Sequence, residues 1–220
     1  MKKETVPSKY TRGEEIANHI THGFGATLAV GGLVVLIVFA ALYGNAWHIV
    51  SCSIFGAALI LLYLASTLYH AIQHPEAKSI LRILDHSAIL ILIAGTYTPI
   101  TLVNLRGPWG WSLFGIIWAL AVIGILIETT RLRRFRAALI ALYVIMGWAV
   151  VAAIKPMMQN MASGGLWLLL SGGLSYTGGI VFYLWDRLPY NHAIWHLFVL
   201  AGSCLHYLAI LLYVIPVAGS

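Results

Sequence analysis

The stretch Ile20–Tyr43 reads ITHGFGATLAVGGLVVLIVFAALY, 24 residues without one Asp, Glu, Lys or Arg. A helix of about 20 apolar residues crosses the hydrocarbon core of a bilayer. The run is too long for a secretory signal core, so it is expected to span the membrane, and no cleavable signal is expected before it. Working outward, six further stretches have the same character: His48–His70, Ile83–Leu105, Trp109–Glu128, Ala137–Ile154, Gly164–Trp185 and Ala193–Val214. The gaps Gly44–Trp47, Arg106–Pro108 and Asp186–His192 leave no room for a separate domain. The expected fold is all-α: a polar tail over residues 1–12, then a single seven-transmembrane helix bundle over residues 13–220.

Composition agrees. Of 220 residues 60% are hydrophobic and 9% charged, where a soluble domain carries about 25% charged. A net charge of +6 raises the question of nucleic acid. The basic residues, however, lie in the tail and in short gaps between apolar runs, which membrane orientation explains, so no nucleic-acid partner is expected. Cys52 and Cys204 both lie inside apolar segments and read as packed thiols, not as a disulfide framework or a metal motif.

Lys2, Lys3, Lys9, Arg12, Lys78, Arg82, Arg131, Arg133, Arg134, Arg136 and Arg187 fall on one side of the seven spans, against only Arg106 and Lys155 on the other. Basic loops stay cytoplasmic. The expectation is a multi-pass protein of the cell (inner or plasma) membrane, N-terminus cytoplasmic and C-terminus external. Glycine pairs in the sixth span, Gly172–Gly173 and Gly178–Gly179, predict a closely packed inner helix.

Ionisable groups in spans are costly and usually functional. The topology puts His70, Asp85, His86, His192, His196, Asn18, His19 and His22 at the cytoplasmic level, and His48 and His206 toward the other side. His192 and His196 are one helical turn apart and share a face. His70, with Ser66 one turn deeper, adds a third imidazole. Three nitrogen ligands with an open fourth position predict zinc at His70, His192 and His196. Other readings stay open: Asp85 paired with Arg82 or capping its helix, and Ser66 bonded back to its own backbone. His86, next to Asp85, and His22 read as supporting or structural residues. Glu128 reads as an interfacial ion-pair residue beside Arg131–Arg136. His206 lies about 15 Å along the helix from His196 and cannot join the same ion.

On Glu15–Ile16–Ala17–Asn18–His19–Ile20–Thr21–His22–Gly23, Ser66-x3-His70, Asp85–His86–Ser87 and His192-x3-His196, the chain resembles bacterial hemolysin III proteins of the progestin and adipoQ receptor superfamily. Alkaline ceramidases are more distant relatives. The resemblance covers roughly residues 13–216. It implies zinc on His70, His192 and His196, with Ser66 and Asp85 beside it and His86, His22 and Asn18 supporting. It implies a zinc-dependent hydrolase of a lipid amide or ester, with Asp85 and Ser66 catalytic and a membrane lipid or fatty acyl chain as partner. The alternative it leaves is a non-catalytic membrane sensor or regulator with structural zinc. The hemolysin label suggests cytolysis, yet no amphipathic insertion segment is present.

Overall fold

A computed structural model of the chain describes residues 10–215. The expected spans are all helical, and no strand occurs among the described residues. Seven helices are long and apolar enough to cross a membrane: α1 (Arg12–Tyr43), α2 (Ala46–Ala71), α3 (Pro75–Asn104), α4 (Pro108–Glu128), α5 (Arg136–Asn160), α6 (Ser163–Leu184) and α7 (Asn191–Tyr213). The outward side chains are themselves apolar: Leu42, Ile145, Met158 and Trp167 are all exposed, as lipid as solvent requires.

Two helices start well before their apolar runs. α1 begins at Arg12, where Thr11 and Glu14 form a reciprocal capping box: the Glu14 backbone N–H donates to Thr11 Oγ1 (3.3 Å) and the Thr11 N–H to Glu14 Oε2 (2.8 Å). α3 begins at Pro75, a residue suited to the first helical position because no intrahelical bond is asked of its nitrogen there. These extra turns bring Glu15, Asn18 and Lys78 into helical register at the end of the bundle where α2 stops and α7 starts.

Consecutive helices pack side by side from α1 to α4, and α1 closes the ring against α7. One apolar core, with Leu36, Phe55, Leu59, Val199 and Ile210, joins α1, α2 and α7. A second, with Leu90, Tyr97, Ile117 and Met146, joins α3, α4 and α5. α3 is the central helix, with 72% of its most apolar stretch buried, against 17% for α6. The glycine-rich sixth helix is therefore peripheral, contrary to expectation. Gly165, Gly172 and Gly179, seven apart, are its buried residues. A methyl group on Gly179 would stand 2.7 Å from both Trp195 and Phe198 of α7. Small residues let the backbones approach along one stripe, while the other faces of α6 stay exposed.

α5 is not one regular helix. Tyr97 Oη of α3 donates to Gly147 O (3.1 Å) and accepts from Val150 N (2.8 Å), just where Ala149–Ala153 tightens to 3₁₀ geometry. An inserted hydroxyl explains the break in the ladder. Between α2 and α3 on one side and α5, α6 and α7 on the other lies a cavity of about 310 Å³.

Candidate metal centre and cavity

His70 stands in the last turn of α2, and His192 and His196 in the first two turns of α7. All three are buried. Their ring centroids lie 5.0 Å (His70–His192), 5.2 Å (His70–His196) and 4.5 Å (His192–His196) apart. One ligand nitrogen from each falls within 4.8 Å of the others, so the three could hold a metal ion.

The neighbours decide which nitrogens are on offer. His70 Nδ1 is 2.6 Å from Glu15 Oε2. A carboxylate accepts, so Nδ1 carries the hydrogen and the Nε2 lone pair faces inward; Nε2 has no hydrogen-bond partner. His196 Nδ1 is 3.2 Å from the Asn18 carbonyl oxygen, which also only accepts, so this Nδ1 is again the donor. These tautomers follow from the network. Ligand histidines characteristically donate their other N–H to a carboxylate or carbonyl, which fixes the ring and raises its basicity. The donor set is thus the kind a divalent transition metal takes, and the site fits such an ion.

Glu15, which precedes the first apolar run, sits at the centre of this end of the bundle. Its Oε1 accepts from Lys78 Nζ of α3 (2.6 Å) while Oε2 accepts from His70. It ties α1, α2 and α3 together behind the ligands. Glu15, Asn18 and His22 are spaced three and four apart, one face of a helix, and that spacing is the signal that could have found it.

Asn18 serves through its carbonyl, and its Nδ2 is 3.4 Å from His70 Nδ1. His22 stacks on His196 with ring centroids 3.5 Å apart, and neither of its ring nitrogens has a hydrogen-bond partner. Tyr10 lies against His192 (5.0 Å) and His70 (5.8 Å). Burial, then the neighbouring Tyr183, hold the Tyr10 phenol above its ordinary range, so it stands protonated there.

Asp85 and Ser66 are buried and line the cavity next to His192 and His196. His86, His70, Ser66 and Glu128 are among the polar groups near the Asp85 carboxyl, and no ion pair joins it to Arg82. The Ser66 hydroxyl is near that carboxyl but outside hydrogen-bond geometry, and it does not bond back to its own helix as Thr67 does. His86 turns to Glu128 of α4, with Nδ1 3.2 Å from Oε1, and Tyr143 donates to the same oxygen (3.3 Å). Glu128 is therefore buried with these two partners and is not an interfacial mate of the arginines. His206 lines the far part of the same cavity, and its Nε2 donates to Leu169 O (3.0 Å). His48 caps α2 by accepting from Asn45 N (3.2 Å). His19 donates to Glu15 O (3.0 Å).

A family profile described as "Haemolysin-III related" matches residues 10–207. The chain is 51% identical over 206 residues to "Hemolysin-3" of Bacillus cereus, covering 94% of both chains. It is 48% identical over 208 residues to "Hemolysin-3 homolog" of Bacillus subtilis (strain 168), covering 94% of this chain and 98% of that one. It is 32% identical over 215 residues to "Monocyte to macrophage differentiation factor" of Homo sapiens, covering 93% and 86%. With seven apolar helices and these relatives, this is a multi-pass membrane protein, and it belongs to the haemolysin III family.

Proposed function

We propose that the protein is a zinc-dependent hydrolase of lipid amide or ester bonds, with its histidine end at the cytoplasmic face. The observation that carries this reading is one arrangement. Three buried imidazoles converge, two with their Nδ1–H groups committed to oxygen acceptors. The Asp85 carboxyl and Ser66 hydroxyl stand on the wall of the adjoining cavity.

His70, His192 and His196 would hold the zinc. Zinc supplies Lewis acidity and brings the pKa of a bound water toward ~7. The residues do the rest. The mainly apolar cavity takes the acyl chain and keeps bulk water from the scissile carbonyl. Ser66 Oγ–H donates to the carbonyl oxygen as negative charge develops there. Asp85 takes the proton of the attacking water and passes it to the departing nitrogen or oxygen, so a carboxylic acid and an amine or alcohol leave. Glu15, Asn18 and Lys78 hold two of the ligand rings in place from behind.

The excess of basic residues at this end supports the cytoplasmic assignment. A second reading, a non-catalytic regulator with structural zinc, draws on the same cluster. Its ligands come from α2 and α7 under α1, and His22 and Tyr10 cover it with aromatic faces. The test is turnover of ester- and amide-linked lipids by purified protein with stoichiometric zinc, beside Asp85→Ala. Turnover that Asp85→Ala abolishes supports the hydrolase. Bound zinc with no turnover of any lipid class gives the regulator.

A further inference from the structure

The cavity opens toward an unusual charge density. A groove beside it is lined by Arg82 of α3, by Arg131, Arg133 and Arg134 of the α4–α5 connection, and by Arg136 of α5. Among the described residues no carboxylate lines that groove. Arg82, Arg133 and Arg136 line the cavity as well, so groove and cavity share a wall. Among the described residues no ion pair joins any of the five to an acidic side chain. Arg136 donates to Tyr183 Oη (3.2 Å), and Arg134 lies over the Phe135 ring at 4.9 Å. Orientation in a membrane asks only that basic residues lie on one side. It does not ask that they surround one concavity leading to a buried polar cluster. Guanidinium groups match phosphate oxygens bidentately, and basic pockets at helix ends take lipid headgroups.

We propose that this arginine groove binds the anionic phosphate of a membrane lipid headgroup, with the lipid's acyl portion entering the adjoining cavity. This rests on the hydrolase reading for its consequence, that the substrate is a phosphate-bearing lipid, but the binding itself does not. The phosphate would sit at the mouth, and the labile bond below it, level with Asp85 and Ser66.

The experiment is binding of three probes to the full chain in detergent micelles: dihexanoyl phosphatidic acid, dihexanoyl glycerol and inorganic phosphate. The expected order is phosphatidic acid tightest, with the other two at least tenfold weaker. The double variant Arg82→Gln/Arg133→Gln is expected to lose roughly tenfold or more of the phosphatidic acid affinity. Arg187→Gln/Arg12→Gln removes the same charge from positions that line neither groove nor cavity, and it should bind as wild type does. Equal loss in both double variants would reduce the effect to bulk charge and overturn the proposal. So would equal binding of phosphatidic acid and the diglyceride. Inorganic phosphate binding as tightly as the lipid would give the groove to a soluble anion instead. The same titration on chelator-treated protein separates the two ideas. There phosphatidic acid should still bind; on zinc-loaded protein, phosphatidic acid bound with no turnover of any lipid class keeps the groove and removes the hydrolase, and turnover of neutral lipids without phosphatidic acid binding does the reverse.

Discussion

His196 and His206 lie on the same helix, ten residues apart, both buried, both on the wall of one cavity. Their surroundings give them opposite roles. At His196 a backbone carbonyl takes the Nδ1–H, and two other imidazoles stand within ligand distance. At His206 the Nε2–H donates to Leu169 O of α6, and no other group of three candidate ligands forms among the described residues. A buried histidine becomes a metal ligand through what its neighbours leave free, more than through its own depth or burial. The start of α7 carries the candidate metal site, and its lower region is a helix contact.

The harshest way to break this contrast is to remove a ligand. His192→Ala should lose most of the bound metal, measured as metal per chain by elemental mass spectrometry on purified protein. It should also unfold at lower temperature, since α7 is no longer tied to α2 through an ion. Metal content equal to wild type in that variant would end the assignment.

Glu15→Gln sharpens the contrast without touching a ligand. The amide keeps the shape but loses the charge that accepts from His70 Nδ1 and pairs with Lys78. Loss of such a supporting partner costs about 10–100-fold in metal affinity. Competition with a chelator of known affinity reads the change. An unchanged affinity would mean that the charge on Glu15 is not needed to hold His70.

The same residue shows what the sequence could and could not tell. The seven spans were legible because lipid forces length and apolarity on each. The pair His192 and His196 was legible because a helix puts residues four apart on one face. Glu15 escapes a reading by apolar runs because it precedes the first of them, and it joins the helix through the capping box that extends α1 back to Arg12. Glu128 reads in sequence as a mate of the arginines next to it, whereas its partners, His86 and Tyr143, come from α3 and α5. The outward place of α6 was also hidden. Glycines mark where another backbone comes close, but only the assembled bundle shows that the close approach is on one side. Tyr97 interrupts α5 from another helix, so nothing in α5's own residues announces the break.

On α6, opposite the lower part of α7, Gly172→Ala probes packing. Its methyl group would meet the His206 ring, with the Gly202 carbonyl oxygen 3.2 Å away. Overpacking of this kind costs about 1–3 kcal/mol. A fall in melting temperature is expected with metal affinity unchanged, because the strain falls on the contact region and not on the site. A drop in metal affinity as large as that of Glu15→Gln would show the two regions of α7 to be mechanically coupled.

His206→Ala is the smallest change and the most direct comparison. It removes one imidazole from the same helix and the same cavity as the ligands. The lost bond to Leu169 O is worth about 0.6 kcal/mol by the average for such interhelical bonds in membranes. The Leu169 carbonyl stays within α6, where it also has the helix ladder, so no buried acceptor is orphaned. Metal per chain should equal that of wild type, with a small fall in thermal stability. If this variant came out of purification without metal, depth along α7 would not separate site from contact. The ion would then be held by something other than the three nitrogens that meet at the helix start.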